Sequence, residues 1–442
     1  MTNVTAYRST ASKQLLGKRG QFVLSCVFYK ISLDIAYTLY LSDAFGSHFL
    51  TPFPFKFAVG NYIESHAWLL LASIILPFTT KNLSGIFFGS VILFLLAPLT
   101  TMYGLNSDQP RYSIALTVLA IYLSYLVSSI RTPRLKIPHL RNGYQIAITL
   151  CCLNIFLFIV VTAATGAMFR MNFEISRVYE FRDEFSETLD VGVFAYLNLW
   201  TQKIFTPFLL AVGLHKKNWV IIIFCIGMQV FYFGVTQHRQ HLFVPLLILF
   251  AWHTYNKQWP FTYGLVVASL FVFVSTSLIL ALNLEVIGAL IVRRALFVPA
   301  SVTEGWVHYF SENPYVYFSD NILSSFFATQ YTNQALPFYV GDKILPGLNL
   351  AYNTGLVGAG FAQLGVLGVM IYAIIMGVYL RTINSLIWNG VPAFIPAAIL
   401  FLPVRTAWTA SDLSSALLSH GLIVGLMLVW LYGSHMQKNG AR

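Results

Sequence analysis

The sequence predicts an all-α protein that crosses a membrane many times. Of its 442 residues, 57% are apolar and only 10% are charged, whereas about a quarter of the residues of a soluble globular domain are charged. The mean hydropathy is +0.69. A soluble fold has no interior large enough to hide so much apolar surface. We therefore expect residues 1–442 to form a single integral membrane domain.

Twelve segments have the length and apolar character of spanning helices, which need about 20 residues each. Stretches 142–169 and 258–284 carry no charge at all, and 112–130 and 218–237 are shorter charge-free windows. Window 344–380 is charge-free for longer than one helix needs, so its first part is expected to be a loop or a re-entrant segment. In chain order the predicted helices are 21–43, 57–79, 83–101, 112–130, 144–168, 192–214, 218–236, 241–256, 262–284, 353–380, 389–404 and 414–434.

The charged residues separate by side when the twelve helices alternate in direction. Fifteen basic residues and no acidic residue fall on the side of the two termini, and ten basic and fifteen acidic residues fall on the other. Because an excess of lysine and arginine marks the cytoplasmic side, both termini are expected in the cytoplasm. The same rule accounts for the net charge of +11, so nucleic acid is not an expected partner.

Two connections on the outer side are long, 170–191 and 285–352. Long loops in a compact protein are usually functional or disordered. The second is rich in aromatic residues and leucine, which favours short ordered helices over the outer membrane face. Motifs of soluble enzymes are missing, including the nucleotide-binding GxxxxGK[ST], HExxH, CxxC and GxSxG. We therefore expect no metal and no cofactor, and any chemistry is expected in the outer loops. All four cysteines lie in apolar runs and are expected to be small core residues.

Residues 291–310, which begin the ordered part of the second loop, are the strongest candidate for a site. Arg293 and Arg294 are adjacent and lie in an apolar context at the expected membrane surface. The planar fork of arginine makes paired, charge-assisted hydrogen bonds and suits a diphosphate. The alternative is that both arginines anchor an interfacial helix by reaching towards the headgroups.

A helix that opens at Pro299 would give this segment two different faces. Val302, Trp306 and Tyr309 would fall on one face. Glu304 and His308, four residues apart, would share another, and either is a candidate general base for an acceptor hydroxyl.

Other basic residues extend the candidate substrate-binding set. The first long loop contains Arg170, Arg177 and Arg182, although its six acidic residues can pair with them and leave a solvated charged loop. Arg239 lies in a tight outer turn between two predicted helices and could equally be a helix-end anchor. Lys203 lies near the middle of the sixth predicted helix, where ionisable residues usually face a cavity or a partner.

Lys30 and Asp34 are spaced i,i+4 on the first predicted helix. A mutual ion pair is the simpler interpretation, because an unpaired charge within a membrane is costly. A transport path is the alternative.

The order of these features resembles the bacterial O-antigen polymerases of the Wzy type. That family carries Arg-x10-Gly motifs in two enlarged periplasmic loops, and here ten residues separate Arg294 from Gly305 within RRALFVPASVTEG. The run NLAYNTGLVGAGFAQLGVLGVM, 349–370, resembles the family's Asn- and Gly-rich re-entering segment, which adds Asn353 to the substrate-binding set. Arg239 resembles the family's basic residue before the eighth helix. In the first loop only nine residues separate Arg182 from Gly192, so that loop departs from the pattern.

The resemblance implies a fold, a reaction and partners. The fold would be a GT-C-like helical bundle in the bacterial inner membrane with its active site facing the periplasm. The enzyme would be a metal-independent glycosyltransferase that moves a glycan from undecaprenyl diphosphate onto a lipid-linked repeat unit. Its catalytic residues would be Arg294, His308 and Glu304, with Arg293 and the other named basic residues binding substrate. A Wzz-type chain-length regulator and a Wzx-type flippase would be its partners.

Three other functions stay open at this point. An O-antigen ligase would use the same donor but transfer finished polymer to the lipid A core. A polyprenyl-phosphate-sugar glycosyltransferase would place a metal-dependent acid in the first outer loop, where Asp43 lies. A flippase or transporter would line its path with Lys203 and the Lys30/Asp34 pair.

Overall fold

The computed structural model is built from α-helices, as the sequence predicts. The structure describes residues 2–47, 52–76, 83–130, 138, 140–173, 192–238, 240–256, 261–283, 288–320, 324, 331–348 and 350–440. These residues contain no β-strand, and one isolated parallel bridge joins Lys56 and Asn106. The chain divides into two compact units, which are described separately below.

Unit 1 comprises residues 1–130, 259–379 and 407–413. Its described α-helices are Thr2–Ala36, Ser42–Phe45, Val59–Ile75, Leu83–Val91, Ala97–Leu105, Tyr112–Ser129, Phe261–Leu282, Val298–Glu312, Leu336–Ile344, Leu356–Leu364 and the first part of Val366–Trp388. Three π-helical segments, Tyr37–Leu41, Ile92–Leu96 and Gly288–Phe297, connect helices in the same unit. The helices 288–297, 298–312 and 336–344 fulfil the expectation of ordered short helices in the second long loop.

Unit 2 comprises residues 131–258, 380–406 and 414–442. Its described helices include Gly143–Ala164, Val193–Trp200, Thr206–His215, Trp219–Thr236, Gln240–Asn256, Leu422–Gly440 and most of Phe394–Thr409, with a π-helical segment at Thr201–Phe205 and a 3-10 turn at Ala167–Arg170. A short helix, Leu413–Leu418, starts at the boundary between the two units.

Each of the twelve segments predicted to span the membrane is helical over most of its length. Eight helices within the described residues are long and apolar enough to cross a bilayer. They are Gly17–Phe45, Leu83–Leu105, Tyr112–Ser129, Gly143–Ala164, Trp219–Thr236, Phe261–Leu282, Leu356–Trp388 and Leu413–Ser434. The protein is therefore a polytopic helical membrane protein.

The prediction of one straight helix over 353–380 is wrong, because the chain folds back at Gly365. Gly365 has a φ of +61°, a conformation that costs little only for glycine. A Cβ on Gly368 would lie 2.0 Å from the carbonyl oxygen of Gly360, although these residues would be about 12 Å apart along a straight helix. Leu356–Leu364 and the start of Val366–Trp388 therefore form a tight hairpin. The loop or re-entrant part expected from the charge-free window precedes residue 353, so the turn lies further along the chain than the sequence predicts.

The hairpin is buried and capped within unit 1. Leu356–Gln363 are all buried, which suits backbone that turns inside an apolar layer. The amide of Val316 donates to the carbonyl of Ala362 at 2.8 Å, and the amide of Tyr317 donates to that of Gln363 at 3.1 Å. These bonds satisfy carbonyls that the end of the short helix leaves unpaired.

The predicted ion pair between Lys30 and Asp34 is confirmed. Lys30 Nζ lies 2.9 Å and 3.0 Å from the two carboxylate oxygens. Thr101 and Tyr62 donate their hydroxyls to the same carboxylate at 2.8 Å and 3.2 Å, and His66 Nε2 is 3.8 Å away. The carboxylate therefore joins three helices of unit 1.

The expectation for the cysteines is right for three of the four. Cys26, Cys151 and Cys225 are buried, and all four cysteines are free thiols. Cys152 is exposed, because neighbouring residues of the helix Gly143–Ala164 point about 100° apart. Only one residue of the pair Cys151–Cys152 can therefore face the interior.

Candidate active site

Arg293 and Arg294 lie in the π-helical segment Gly288–Phe297 of unit 1. Arg293 is half-buried, and its guanidinium lies 4.5 Å from the centroid of the Phe45 ring. Desolvation lowers the pKa of Arg293; Tyr40 nearby acts in the opposite direction, and the charge of Arg294 lowers the pKa further. Arg294 is exposed. The two adjacent guanidinium groups thus differ in environment, one held over an aromatic ring and one exposed.

An aromatic cluster anchors the end of this segment. The ring of Phe297, the last residue of the π-helix, is 5.7 Å from Tyr37 and 6.0 Å from Phe53, and those two rings are 6.1 Å apart. All three residues are buried. Edge-to-face and tilted pairs at such distances add to the energy of apolar burial. The arginines therefore project from a fixed backbone.

Glu304 and His308 follow on the helix Val298–Glu312, which opens with Pro299 in its first turn as predicted. Trp306 is buried and His308 is exposed, with Glu304 half-buried between them. This is the division of faces expected from the sequence.

Burial raises the pKa of the Glu304 carboxyl. The charge of His308 and a hydrogen bond from the side chain of Gln109 act in the opposite direction. A carboxyl whose pKa is raised towards the working pH is a better general base than an ordinary glutamate. Gln109 lies in the connection before the helix Tyr112–Ser129, and the sequence alone gave no signal for it.

Close packing against Tyr352 explains why Gly305, the glycine of the Arg-x10-Gly motif, has no side chain. A Cβ on Gly305 would lie 3.0 Å from the hydroxyl and 3.2 Å from Cε1 of Tyr352. Tyr352 is held in that position by a hydrogen bond with Ser301 and by the bond from Trp306 Nε1 to its own carbonyl at 2.7 Å. Glycine therefore lets a buried tyrosine pack close to Glu304. Burial raises the pKa of Tyr352, and the charge of Glu304 adds to that shift.

The arginines and the acid–base pair lie on one continuous helical path, because Phe297 between the two segments has helical dihedral angles. Glu304 lies ten positions after Arg294, so their Cα atoms are about 15 Å apart along the axis. The two side chains can meet the same group only if both extend towards the space between them.

The other candidate residues are distributed over the chain. Asn353 is exposed in unit 1, next to Tyr352. Arg170 is exposed at the end of a 3-10 turn in unit 2, and Lys203 is half-buried in the π-helical segment Thr201–Phe205 of that unit. Arg177, Arg182 and Arg239 lie outside the described residues.

Lys203 has a partner that the sequence did not indicate. Its Nζ lies 3.4 Å from Nδ1 of His420, more than two hundred residues away along the chain, a pairing that spacing cannot predict. No group of three or more histidine, cysteine, aspartate or glutamate residues close enough to hold a metal ion occurs within the described part of the chain.

Comparison with protein-family models, with curated proteins and with solved structures gives no significant match.

Proposed function

We propose that this protein is a glycosyltransferase that polymerises oligosaccharide units carried on a polyprenyl diphosphate, as the O-antigen polymerases do. The observation that carries the proposal is the helical path 288–312 of unit 1. It carries two adjacent arginines on its first segment and a desolvated carboxyl with a histidine on its second. The apolar helices around it are suited to a long lipid substrate.

The proposed reaction moves one glycan between two lipid-linked molecules. A hydroxyl of the acceptor sugar attacks the anomeric carbon of the donor glycan, and the bond from that carbon to the diphosphate oxygen breaks. The electron pair leaves with the lipid diphosphate, so stabilising its negative charge is the main electrostatic task. Arg294 and Arg293 are suited to this task because guanidinium groups bind phosphate oxygens in pairs.

The proton of the attacking hydroxyl needs an acceptor, and we assign this role to Glu304. Its carboxyl is partly withdrawn from water, and its raised pKa brings it nearer the pH at which a base is most effective. His308 is exposed and within electrostatic range of Glu304, so its role is to tune that pKa and contact the acceptor glycan. The anomeric carbon is bonded directly to the diphosphate, so the side chains of Arg294 and Glu304, whose Cα atoms are about 15 Å apart along the helix, would have to extend towards each other and meet the donor between them.

The cellular setting of the proposal follows from the charge asymmetry and the resemblance. The protein would lie in a bacterial inner membrane with both termini in the cytoplasm and the site facing the periplasm. A Wzz-type regulator and a Wzx-type flippase would work with it.

The first test is the lipopolysaccharide of a deletion strain, separated on a gel. A polymerase deletion leaves molecules with a single repeat unit, whereas deletion of an O-antigen ligase leaves the lipid A core without any repeat. Loss of transport with no change in glycosidic bonds would assign the protein to the flippases instead. Long-chain polymer in the deletion strain would contradict the proposal.

The second test is substitution of Arg294. If Arg294 binds the leaving group in the transition state, Arg294→Ala should lower polymer yield by roughly two to three orders of magnitude. Arg294→Lys should restore only part of it, because a point charge loses the paired geometry. Lys343→Ala, an exposed lysine of the same outer region, is the matched control and should leave yield unchanged. A near-normal yield of polymer from Arg294→Ala, at equal protein levels, would show that this arginine only anchors the helix at the membrane interface.

A further inference from the structure

Unit 2 contains a cluster of basic side chains, including the candidate substrate-binding residue Lys203, to which the proposed reaction assigns no step. We call Lys203, His238, His241 and His420 the basic cluster. Its members come from three parts of the chain: the π-helical segment Thr201–Phe205, the turn around the start of Gln240–Asn256, and the break between the helices Leu413–Leu418 and Leu422–Gly440. π-bulges and broken membrane helices occur often at binding sites.

Short distances tie the cluster together. Lys203 Nζ and His420 Nδ1 are 3.4 Å apart, and the rings of His238 and His241 are 6.1 Å apart. Tyr232 links the two pairs, because its ring lies 5.9 Å from that of His241 and its hydroxyl lies 2.8 Å from that of Thr206, the residue after the π-helical segment of Lys203. Trp200 Nε1 donates to the carbonyl of Leu418 at 2.9 Å, which fixes the broken helix beside Lys203.

His241 is the clearest sign of a ligand. It is fully buried, and neither of its ring nitrogens has a hydrogen-bond partner among the described residues. Buried polar atoms are nearly always hydrogen-bonded, so each exception needs an explanation. A bound group with oxygen atoms would accept a hydrogen bond from this ring.

Within the described residues of unit 2, the charged side chains are basic, which favours an anion as the ligand. Acidic residues of unit 2 occur in the sequence only between 174 and 190, which lies outside the described residues, so the described part of the unit contains basic side chains and no carboxylate side chain. The helices Gln240–Asn256 and Leu422–Gly440 both begin beside the cluster, and the start of a helix carries partial positive charge that attracts anions.

We propose that Lys203, His241 and His420 bind a diphosphate group, that of a lipid-linked substrate. Donors that converge from different helices suit the tetrahedral oxygens of phosphate better than a flat carboxylate, and lysine is a common phosphate ligand. The identification as a second diphosphate site rests on the proposed function, because a polymerase handles two lipid diphosphates, one on the donor and one on the acceptor. Arg294 in unit 1 serves the first and the basic cluster serves the second.

The experiment measures binding of farnesyl diphosphate to the full-length protein in detergent by native mass spectrometry and by titration calorimetry. We expect two molecules per chain for the unaltered protein. Lys203→Gln should weaken one site ten- to a hundredfold, the range for losing one charge-assisted hydrogen bond, and Lys203→Arg should keep it. Lys217→Gln, an exposed lysine of the same unit, is the matched control and should change nothing. Thermal unfolding of each variant verifies that it is folded.

Two further ligands distinguish the source of the diphosphate. If inorganic pyrophosphate binds the Lys203 site as tightly as farnesyl diphosphate does, the site is assigned to a free anion. If pyrophosphate does not displace farnesyl diphosphate, the site is assigned to a lipid headgroup. Farnesol, which lacks phosphate, should not bind at this site.

The variants separate failure of this inference from failure of the proposed function. Binding at one site only, lost with Arg294→Ala and unchanged in a folded Lys203→Gln, would overturn the inference and leave the proposed function standing. Binding lost with Lys203→Gln and unchanged with Arg294→Ala would support the basic cluster and contradict the leaving-group assignment. One site weakened by both substitutions would show a single shared diphosphate and overturn the second site, and no binding at all would overturn both.

Discussion

Replacing Asp34 by asparagine tests whether its ion pair with Lys30 belongs to the framework of the protein or to a transport path. The side chain of Lys30 is fully buried and that of Asp34 is 9% exposed. Asp34→Asn would leave a buried ammonium without its anion, and breaking a buried pair in this way costs about 3–5 kcal/mol. Thr101→Val removes one hydrogen bond to a charged group, for about 1.5–3 kcal/mol. Tyr62→Phe should lower the free energy of unfolding by less than Thr101→Val does, because the hydrogen bond from Tyr62 to Asp34 is longer, at 3.2 Å.

The assay is thermal unfolding of the full chain in detergent, followed by tryptophan fluorescence. A change of 1 kcal/mol shifts Tm by roughly 2–4 °C in a domain of about 200 residues, so Asp34→Asn should lower Tm by roughly 10 °C. The control is Asp108→Asn. Asp108 pairs with Lys56 on the surface, where the side chains are 60% and 56% exposed, and such a pair contributes about 0–1 kcal/mol.

The double variant Lys30→Met, Asp34→Leu removes both charges together. Replacing a buried pair by apolar residues of similar volume is often neutral, so this variant should unfold closer to the unaltered protein than either single variant does. If the ion pair belongs only to the framework, the double variant should still make long-chain polymer. Polymer lost from a stable double variant would place the pair in the function, and an Asp34→Asn protein that unfolds at the unaltered temperature would refute the structural argument altogether.

Three other predictions concern the site and the hairpin. Because burial raises the pKa of Glu304, the rate of polymerisation should fall with decreasing pH at a higher pH than for an ordinary glutamate. His308→Ala removes a charge that lowers this pKa, so the acid limb of the pH–rate profile should move to still higher pH. Gly368→Ala would press a Cβ against the Gly360 carbonyl and should lower both Tm and the amount of protein in the membrane. The control is Gly264→Ala, which should leave Tm unchanged because the nearest atom to its Cβ would be 3.9 Å away. Equal Tm values for the two variants would contradict the hairpin. Polymerisation by the purified protein should persist in EDTA, and activity restored only by Mg²⁺ or Mn²⁺ would favour the metal-dependent alternative.

Local sequence patterns predicted the features that depend on neighbours along one helix. The apolar windows located the helices because every spanning segment must be apolar over its own length. The pair Lys30–Asp34 and the faces of the helix 298–312 follow from spacings of three and four residues, and Pro299 marks the start of that helix.

Features that join distant parts of the chain could not be predicted in this way. Gln109 reaches Glu304, and His420 reaches Lys203, across long sequence separations that leave no periodic signal. The reversal at Gly365 was not predicted, because a glycine within an apolar run is equally compatible with a straight helix, and the excess of charge-free length indicated only a loop or re-entrant part before residue 353. π-helical segments such as 201–205 also carry no sequence pattern of their own, so the position of Lys203 within one was not foreseen.

The hairpin at Gly365 has a consequence for how the protein is made. Its first arm, Leu356–Leu364, is about 14 Å long, roughly half the thickness of the hydrocarbon layer. Such an arm is too short to be retained in the bilayer as an independent segment during synthesis. It must enter together with Val366–Trp388 and be held by helices completed much earlier, such as Tyr112–Ser129, whose Tyr112 ring lies 5.6 Å from the ring of Phe361. This region can therefore fold only after the flanking helices have been inserted. Variants with a loosened hairpin should be degraded by membrane proteases, so their protein level should fall before their catalytic rate changes.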